Sequence, residues 1–180
     1  MAAIRNRDYV VAFRIWRPEA QKGVTSAEAG LGYLYAAGLG VDRDPKLAIH
    51  WLSLAAAKGH PRAQFDLAQV YHTEAGVRDY SKAASLYRIG ARRGWGMARI
   101  RLADLYANGR GVPRNSARAY VWIILAAEVA HTNPDKIEAE QNEATARNAA
   151  RQLREKMNPA EKNAADDVLR QCRAAIGKCK

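Results

Sequence analysis

The chain has 180 residues and a formal net charge of +11, with 48% hydrophobic residues but only 8% aromatic ones. That length suits one domain with a continuous core, or one short repeat array. Alanine supplies much of the apolar content and β-branched residues never alternate over a strand-length run, which excludes a β-rich fold, and no Gly/Pro-rich stretch reads as a linker.

The longest apolar run, Val121 to Ala127, is far short of the roughly 20 residues that a membrane span needs. The first residues, Met1 to Asp8, lack the apolar core of a secretory leader. The compartment stays open: the chain as it stands reads as soluble and cytoplasmic, and as periplasmic or exported if a leader has been removed. Charge is concentrated between residues 78 and 118, where ten Lys/Arg face only Asp79 and Asp104, +8 in 41 residues. Such a stretch attracts an acidic protein, nucleic acid or anionic lipid, or is a solvated face.

Along the chain, Ala27-x-x-x-Leu31-Gly32-x-Leu34-Tyr35 returns as Ala63-x-x-x-Leu67-Ala68-x-Val70-Tyr71 and as Ala98-x-x-x-Leu102-Ala103-x-Leu105-Tyr106, at offsets of 36 and 35 residues. Ala27, Leu31 and Tyr35 share one helical face. A second pattern alternates with the first: Ala48-x-x-Trp51-x-x-x-Ala55, Ala83-x-x-Leu86-x-x-x-Gly90 and Ala119-x-x-Trp122-x-x-x-Ala126. Asp44-Pro45 places an N-cap acceptor before a proline at the first helical position. His60-Pro61, Asp79, Asn115, Asn133-Pro134 and Asn158-Pro159 repeat that signal in whole or part. Gly38-Leu39-Gly40 and Gly109-Arg110-Gly111 read as turns supplying positive φ. Each period is therefore a helix–turn–helix unit. A single pair cannot bury its apolar face alone, so stacking follows, with Gly32, Ala68 and Ala103 at close crossings and Tyr35, Trp51, Tyr71, Tyr106 and Trp122 filling the gaps.

A polar, alanine-rich helix is expected over about 134–156, its thin stripe formed by Ile137, Ala144, Leu153 and Met157. A last helix follows, with Val168, Leu169, Cys172 and Ile176 on one face. The two are expected to cap the array, with a docking helix for a partner as the other reading.

The pattern A-x-x-x-L-G-x-L-Y-x-x-G-x-G-V followed by A-x-x-W-x-x-x-A-A-x-x-G resembles the Sel-one-like repeat, a relative of the tetratricopeptide repeat. The resemblance implies an all-α, right-handed α/α superhelix (a solenoid) of antiparallel helix pairs with C-terminal capping helices. As one repeat domain over 1–180, it comprises a partial N-terminal repeat (1–26), three repeats (27–62, 63–97, 98–131) and the capping helices (132–180). Asp8 to Gly23, with Tyr9, Ala12, Trp16 and Ala20, resembles the second helix of a preceding repeat, and Lys156 to Glu161 resembles the close of bacterial members. The second repeat departs from the pattern, with a shorter turn at His72 to Val77 and Leu86 in the tryptophan position.

In such solenoids the first helix of each pair lines the concave face. Carried over position by position, that groove takes Ser26, Ala29, Tyr33 and Ala36, then Arg62, Phe65, Gln69, His72 and Thr73, then Met97, Ile100, Asp104 and Asn108. Tyr33, Phe65, Met97 and Ile100 suit apolar anchors, and Arg62, Gln69, Asp104 and Asn108 suit backbone orientation. The implied function is a non-enzymatic, monomeric scaffold, adaptor or regulator binding a protein or peptide, an acidic one given the charge. Nucleic-acid binding through a basic patch of Arg88, Arg92, Arg93, Arg99 and Arg101 within 78–118 is the alternative, with Trp95 for stacking, although no base-reading pattern is visible. An enzyme accessory holding a cell-wall or peptide ligand is a third reading.

No G-x-S-x-G, H-E-x-x-H, Walker-type loop or C-x-x-C occurs, so no catalytic residue, metal ligand or cofactor is assigned. His50, His60, His72 and His131 lack i, i+4 pairing and read as surface or turn residues. Cys172 and Cys179 would lie about 10 Å apart on an unbroken helix, beyond the roughly 7 Å that a disulfide spans. Gly177 could end that helix and let Cys179 turn back. Exported members of the family commonly carry disulfides; the other reading is a buried Cys172 with Cys179 free.

Overall fold

A computed structural model describes residues 8–130 and 136–174, and among these every regular element is helical. The chain divides at Leu86/Tyr87 into two compact units.

The first unit holds α1 (Tyr9–Gln21), α2 (Thr25–Ala37), α3 (Pro45–Ala57), α4 (Pro61–Thr73) and the start of α5 (Tyr80–Arg92). Helix α1 packs on α2, α2 on α3 and α3 on α4. Ala20, Ala27 and Leu31 form one core cluster, with Phe13, Trp16 and Trp51 around it. A second cluster joins Ala48, Leu52, Leu67 and Val70, with Tyr35, Tyr71 and Leu86 against it. The close crossing expected at Gly32 is present: a Cβ there would stand 2.6 Å from Leu52 Cγ.

The second unit contains the rest of α5, then α6 (Gly96–Asn108), α7 (Ser116–Ala130), α8 (Lys136–Glu155) and α9 (Pro159–Ala174). Helix α7 is its centre, with α6, α8 and α9 all packed on it. Tyr106 and Trp122 are buried here, whereas Tyr35, Trp51 and Tyr71 are half-buried. Tyr87 is fully buried at the position equivalent to Leu52, one residue beyond Leu86. The second repeat thus buries an aromatic one position beyond the tryptophan register.

The repeat boundaries are local and readable. Asp44, Asp79 and Asn115 each donate their backbone N–H to the carbonyl of the preceding repeat tyrosine, Tyr35, Tyr71 and Tyr106, at 3.0, 2.9 and 2.9 Å. Each then caps the following helix: Asp44 Oδ1 accepts from Lys46 and Leu47, Asp79 Oδ1 from Lys82, and Asn115 Oδ1 from Arg118. The glycine turns behave as expected, with φ of 67° and 69° at Gly38 and Gly40 and of 66° and 68° at Gly109 and Gly111. In the shorter second turn a 3₁₀ segment, Ala75–Val77, replaces them and still delivers Asp79 to Tyr71.

The stripe on α8 runs through Ala146 and Ala150, both buried, and Leu153, half-buried, and is continued past the helix end by the buried Met157. Ala144 is exposed, two positions out of that i, i+4, i+7, i+11 phase. On α9 the buried face is Ala165, Leu169 and Cys172. Arg154 holds Asp166 through two hydrogen bonds of 2.9 and 2.8 Å, joining α8 to α9, and Arg173 pairs with Glu128 of α7. The Asn133-Pro134 start signal and the Ile137 and Ile176 contacts lie outside the described residues.

Candidate partner-binding surface

In the first unit, Arg62, Phe65, Gln69 and His72 fall at i, i+3, i+7 and i+10 of α4, a stripe beside the buried Ala63, Leu67 and Val70. Phe65, Gln69 and His72 are half-buried and Arg62 is exposed. The Arg62 guanidinium lies over the Tyr33 ring of α2, 5.7 Å from its centroid. Its Nε meets both oxygens of Asp66, at 2.9 and 2.8 Å. Asp66 is 7% exposed, and burial raises its pKa by more than the hydrogen bond and charge of Arg62 lower it. The Arg62 pKa is raised by the same hydrogen bond. The His72 ring stands edge-on to Tyr80 at 5.6 Å. Sequence reasoning missed Asp66, although its i, i+4 spacing from Arg62 was a legible signal.

In the second unit, Met97 is 54% and Ile100 37% exposed on α6. Asp104 and Asn108 are tied to each other by a hydrogen bond from Asn108 Nδ2, 2.8 Å. Ile100, Ala103 and Asp104 form one wall of a cleft of about 410 Å³, with Ile123 of α7 and Ala149 and Leu153 of α8 opposite. Helix α8 therefore shapes the surface beside the α6 residues.

The five arginines grouped by charge have different surroundings. Arg99 turns inward, its Nε donating to the Ala91 carbonyl at 3.0 Å and its Nη1 to the Leu125 carbonyl. Burial lowers its pKa, which the nearby Glu128 partly offsets. Arg101 is half-buried with its Nε shielded from solvent, and Arg88 meets the Tyr106 hydroxyl. Arg92 and Arg93 are exposed at the end of α5, and Trp95 is half-buried at the N-cap of α6.

His60 Nδ1 accepts from the Ala63 N–H at 3.2 Å, His50 packs on Trp51, and His131 lies outside the described residues. Among the described residues no group of three or more His, Cys, Asp or Glu could hold a metal ion, and no helix is long and apolar enough to cross a membrane. Cys172 is 5% exposed; Cys179 lies outside the described residues, so their bridge stays an expectation.

Antiparallel helix pairs at a 35–36-residue period, each closed by the same tyrosine-to-cap hydrogen bond, define a helical repeat protein. The chain belongs to the Sel1 repeat family, whose pattern matches residues 25–60, 61–95 and 96–131. It is 34% identical over 108 residues to chitin synthase regulatory factor 3 of Schizosaccharomyces pombe, covering 58% of this chain and 12% of that one. It is 40% identical over 65 residues to the ERAD-associated E3 ubiquitin-protein ligase component HRD3A of Arabidopsis thaliana, covering 36% of this chain and 10% of that one. The chain thus spans only a small part of these relatives' length. Among solved structures, a Sel1 repeat protein from Oxalobacter formigenes matches with a TM-score of 0.60 at 29% identity, over 76% of this chain and 62% of that one. A protective antigen of uropathogenic Escherichia coli displaying an SLR fold matches with a TM-score of 0.60 at 26% identity, over 92% of this chain and 37% of that one.

Proposed function

We propose that the chain is a non-enzymatic interaction module, an adaptor or regulator that holds a peptide or helix of a protein partner. The contact face in the first unit is built from Tyr33, Arg62, Phe65, Gln69 and His72, and Met97, Ile100, Asp104 and Asn108 serve the second unit. The observation that carries this reading is the Arg62–Tyr33 stack fixed by Asp66. Tyrosine and arginine contribute most to interface energies, and holding them in place before binding lowers the entropy lost on association. The family relatives named as a regulatory factor and a ligase component support the same class of role.

The test is affinity capture from the native cell, identification of the partner, and direct titration of the purified pair. Tyr33→Ala with Phe65→Ala should abolish binding while leaving helicity intact. Unchanged affinity of that folded double variant rejects the face.

A further inference from the structure

We propose that Arg88, Tyr106 and Arg118 form a carboxylate-binding site for an acidic side chain of a protein partner. The proposal rests on the reading that the partner is a protein, and adds a charged contact point.

Three helices converge there. Arg88 Nη2 of α5 and Arg118 Nη1 of α7 both donate to the hydroxyl of Tyr106 on α6, each at 3.3 Å. The Arg118 guanidinium also lies over the Tyr106 ring at 5.7 Å. Among the described residues neither arginine has a carboxylate partner, although Arg88 is half-buried and Arg118 exposed. Two like charges brought to one neutral oxygen repel each other, and an anion between them reverses the sign of that interaction. Each guanidinium keeps further N–H donors in the fork geometry that matches a carboxylate. Burial opposes ionisation of the Tyr106 phenol, yet the hydrogen bonds and charges of the two arginines together outweigh it and lower its pKa, a sign of a locally positive field.

The neighbouring repeat shows what has changed. There Lys82 lies over Tyr71 at 5.1 Å, and its charge is answered by the helix-capping Asp79 at 3.3 Å. In the third repeat the cap is Asn115, whose Oδ1 still accepts the Arg118 N–H at 2.8 Å. The cap is retained and its negative charge is gone, where Arg88 adds a second cation. Ser53 stands at the equivalent of Arg88 in the first repeat, and Leu47 at that of Arg118. The unneutralised pair is particular to this repeat.

The experiment titrates the full chain with a fluorescein-labelled glutamate-rich peptide at low ionic strength and reads anisotropy. Arg88→Gln with Arg118→Gln should weaken binding by about tenfold or more, the scale of one or two charge-assisted hydrogen bonds. Arg92→Gln with Arg93→Gln removes equal formal charge and should leave affinity within about twofold, since exposed charges act weakly at a distance. Asn115→Asp keeps a good cap and restores the second repeat's arrangement, so it should weaken the peptide about as much as the arginine double variant, with helicity and Tm unchanged. No binding by the parent chain, equal losses in both arginine pairs, or an inert folded Asn115→Asp variant overturns the site. Displacement of the peptide by inorganic phosphate more readily than by acetate at equal ionic strength reassigns it and overturns the carboxylate. Tyr33→Ala with Phe65→Ala should leave this peptide's affinity unchanged, so failure here and failure of the α2/α4 face are read separately.

Discussion

Arg62 Nε lies 2.8 Å from Asp66 Oδ2, one turn along α4, and the two residues share that bond unequally. The exposed guanidinium keeps water on its far side, whereas the carboxylate has lost most of its hydration. The pair therefore fixes the Arg62 head over Tyr33 at a cost borne by Asp66.

That asymmetry sets a pH dependence. The Asp66 pKa in the folded chain is above its unfolded value, so its contribution to stability is fully present below the ordinary carboxylate value of about 4 and is lost as pH rises through the raised folded value. Asp66→Asn should flatten this fall and match or exceed the parent's stability at neutral pH. Urea denaturation across a pH series measures it, and an unchanged slope in the variant would count against buried ionisation.

Lys58, at the C-cap of α3, reaches the Glu28 carboxylate of α2 at 2.7 Å and the Gly23 carbonyl at 2.8 Å. The Glu28 side chain is 3% exposed and that of Lys58 41%. Lys58→Met should destabilise the fold by about 2–3 kcal/mol, because it leaves a buried carboxylate unanswered. Adding Glu28→Leu should recover most of the loss. Chemical denaturation of the single and double variants decides, and simple additivity would show that the ions act independently.

Gly38 ends α2 at φ 67°, ψ 38°. Gly38→Ala should cost about 1–2 kcal/mol for the left-handed backbone. Gly38→Asn should cost less, since asparagine visits that region more readily. Equal losses from the two would place the cost in the 3.2 Å approach of a new Cβ to Arg43 Cβ.

A Cys172–Cys179 bridge is expected to close a short C-terminal loop. Intact mass should be two hydrogens lower without reductant, and reduction should cost roughly 2–3 kcal/mol on loop-closure arithmetic. Alkylation of both thiols in the untreated protein would remove the bridge.

The sequence alone determined the repeat period, the helix starts at Asp44, Asp79 and Asn115, and the left-handed glycine turns. Each depends on residues a few positions apart and on backbone conformations that only certain side chains favour. The α4 stripe carrying Phe65, Gln69 and His72 was legible for the same reason, as was the alternation that leaves Met97 and Ile100 outside the core. Only the tertiary structure decided that Arg99 turns inward to two carbonyls, that Tyr87 fills the place of a leucine, and that α8 buries Ala146 in place of Ala144. It alone brought Arg88 and Arg118, thirty residues apart in sequence, to one phenol oxygen. Long side chains choose partners by distance and lost hydration after the helices have packed, and neither quantity is written in nearest-neighbour order.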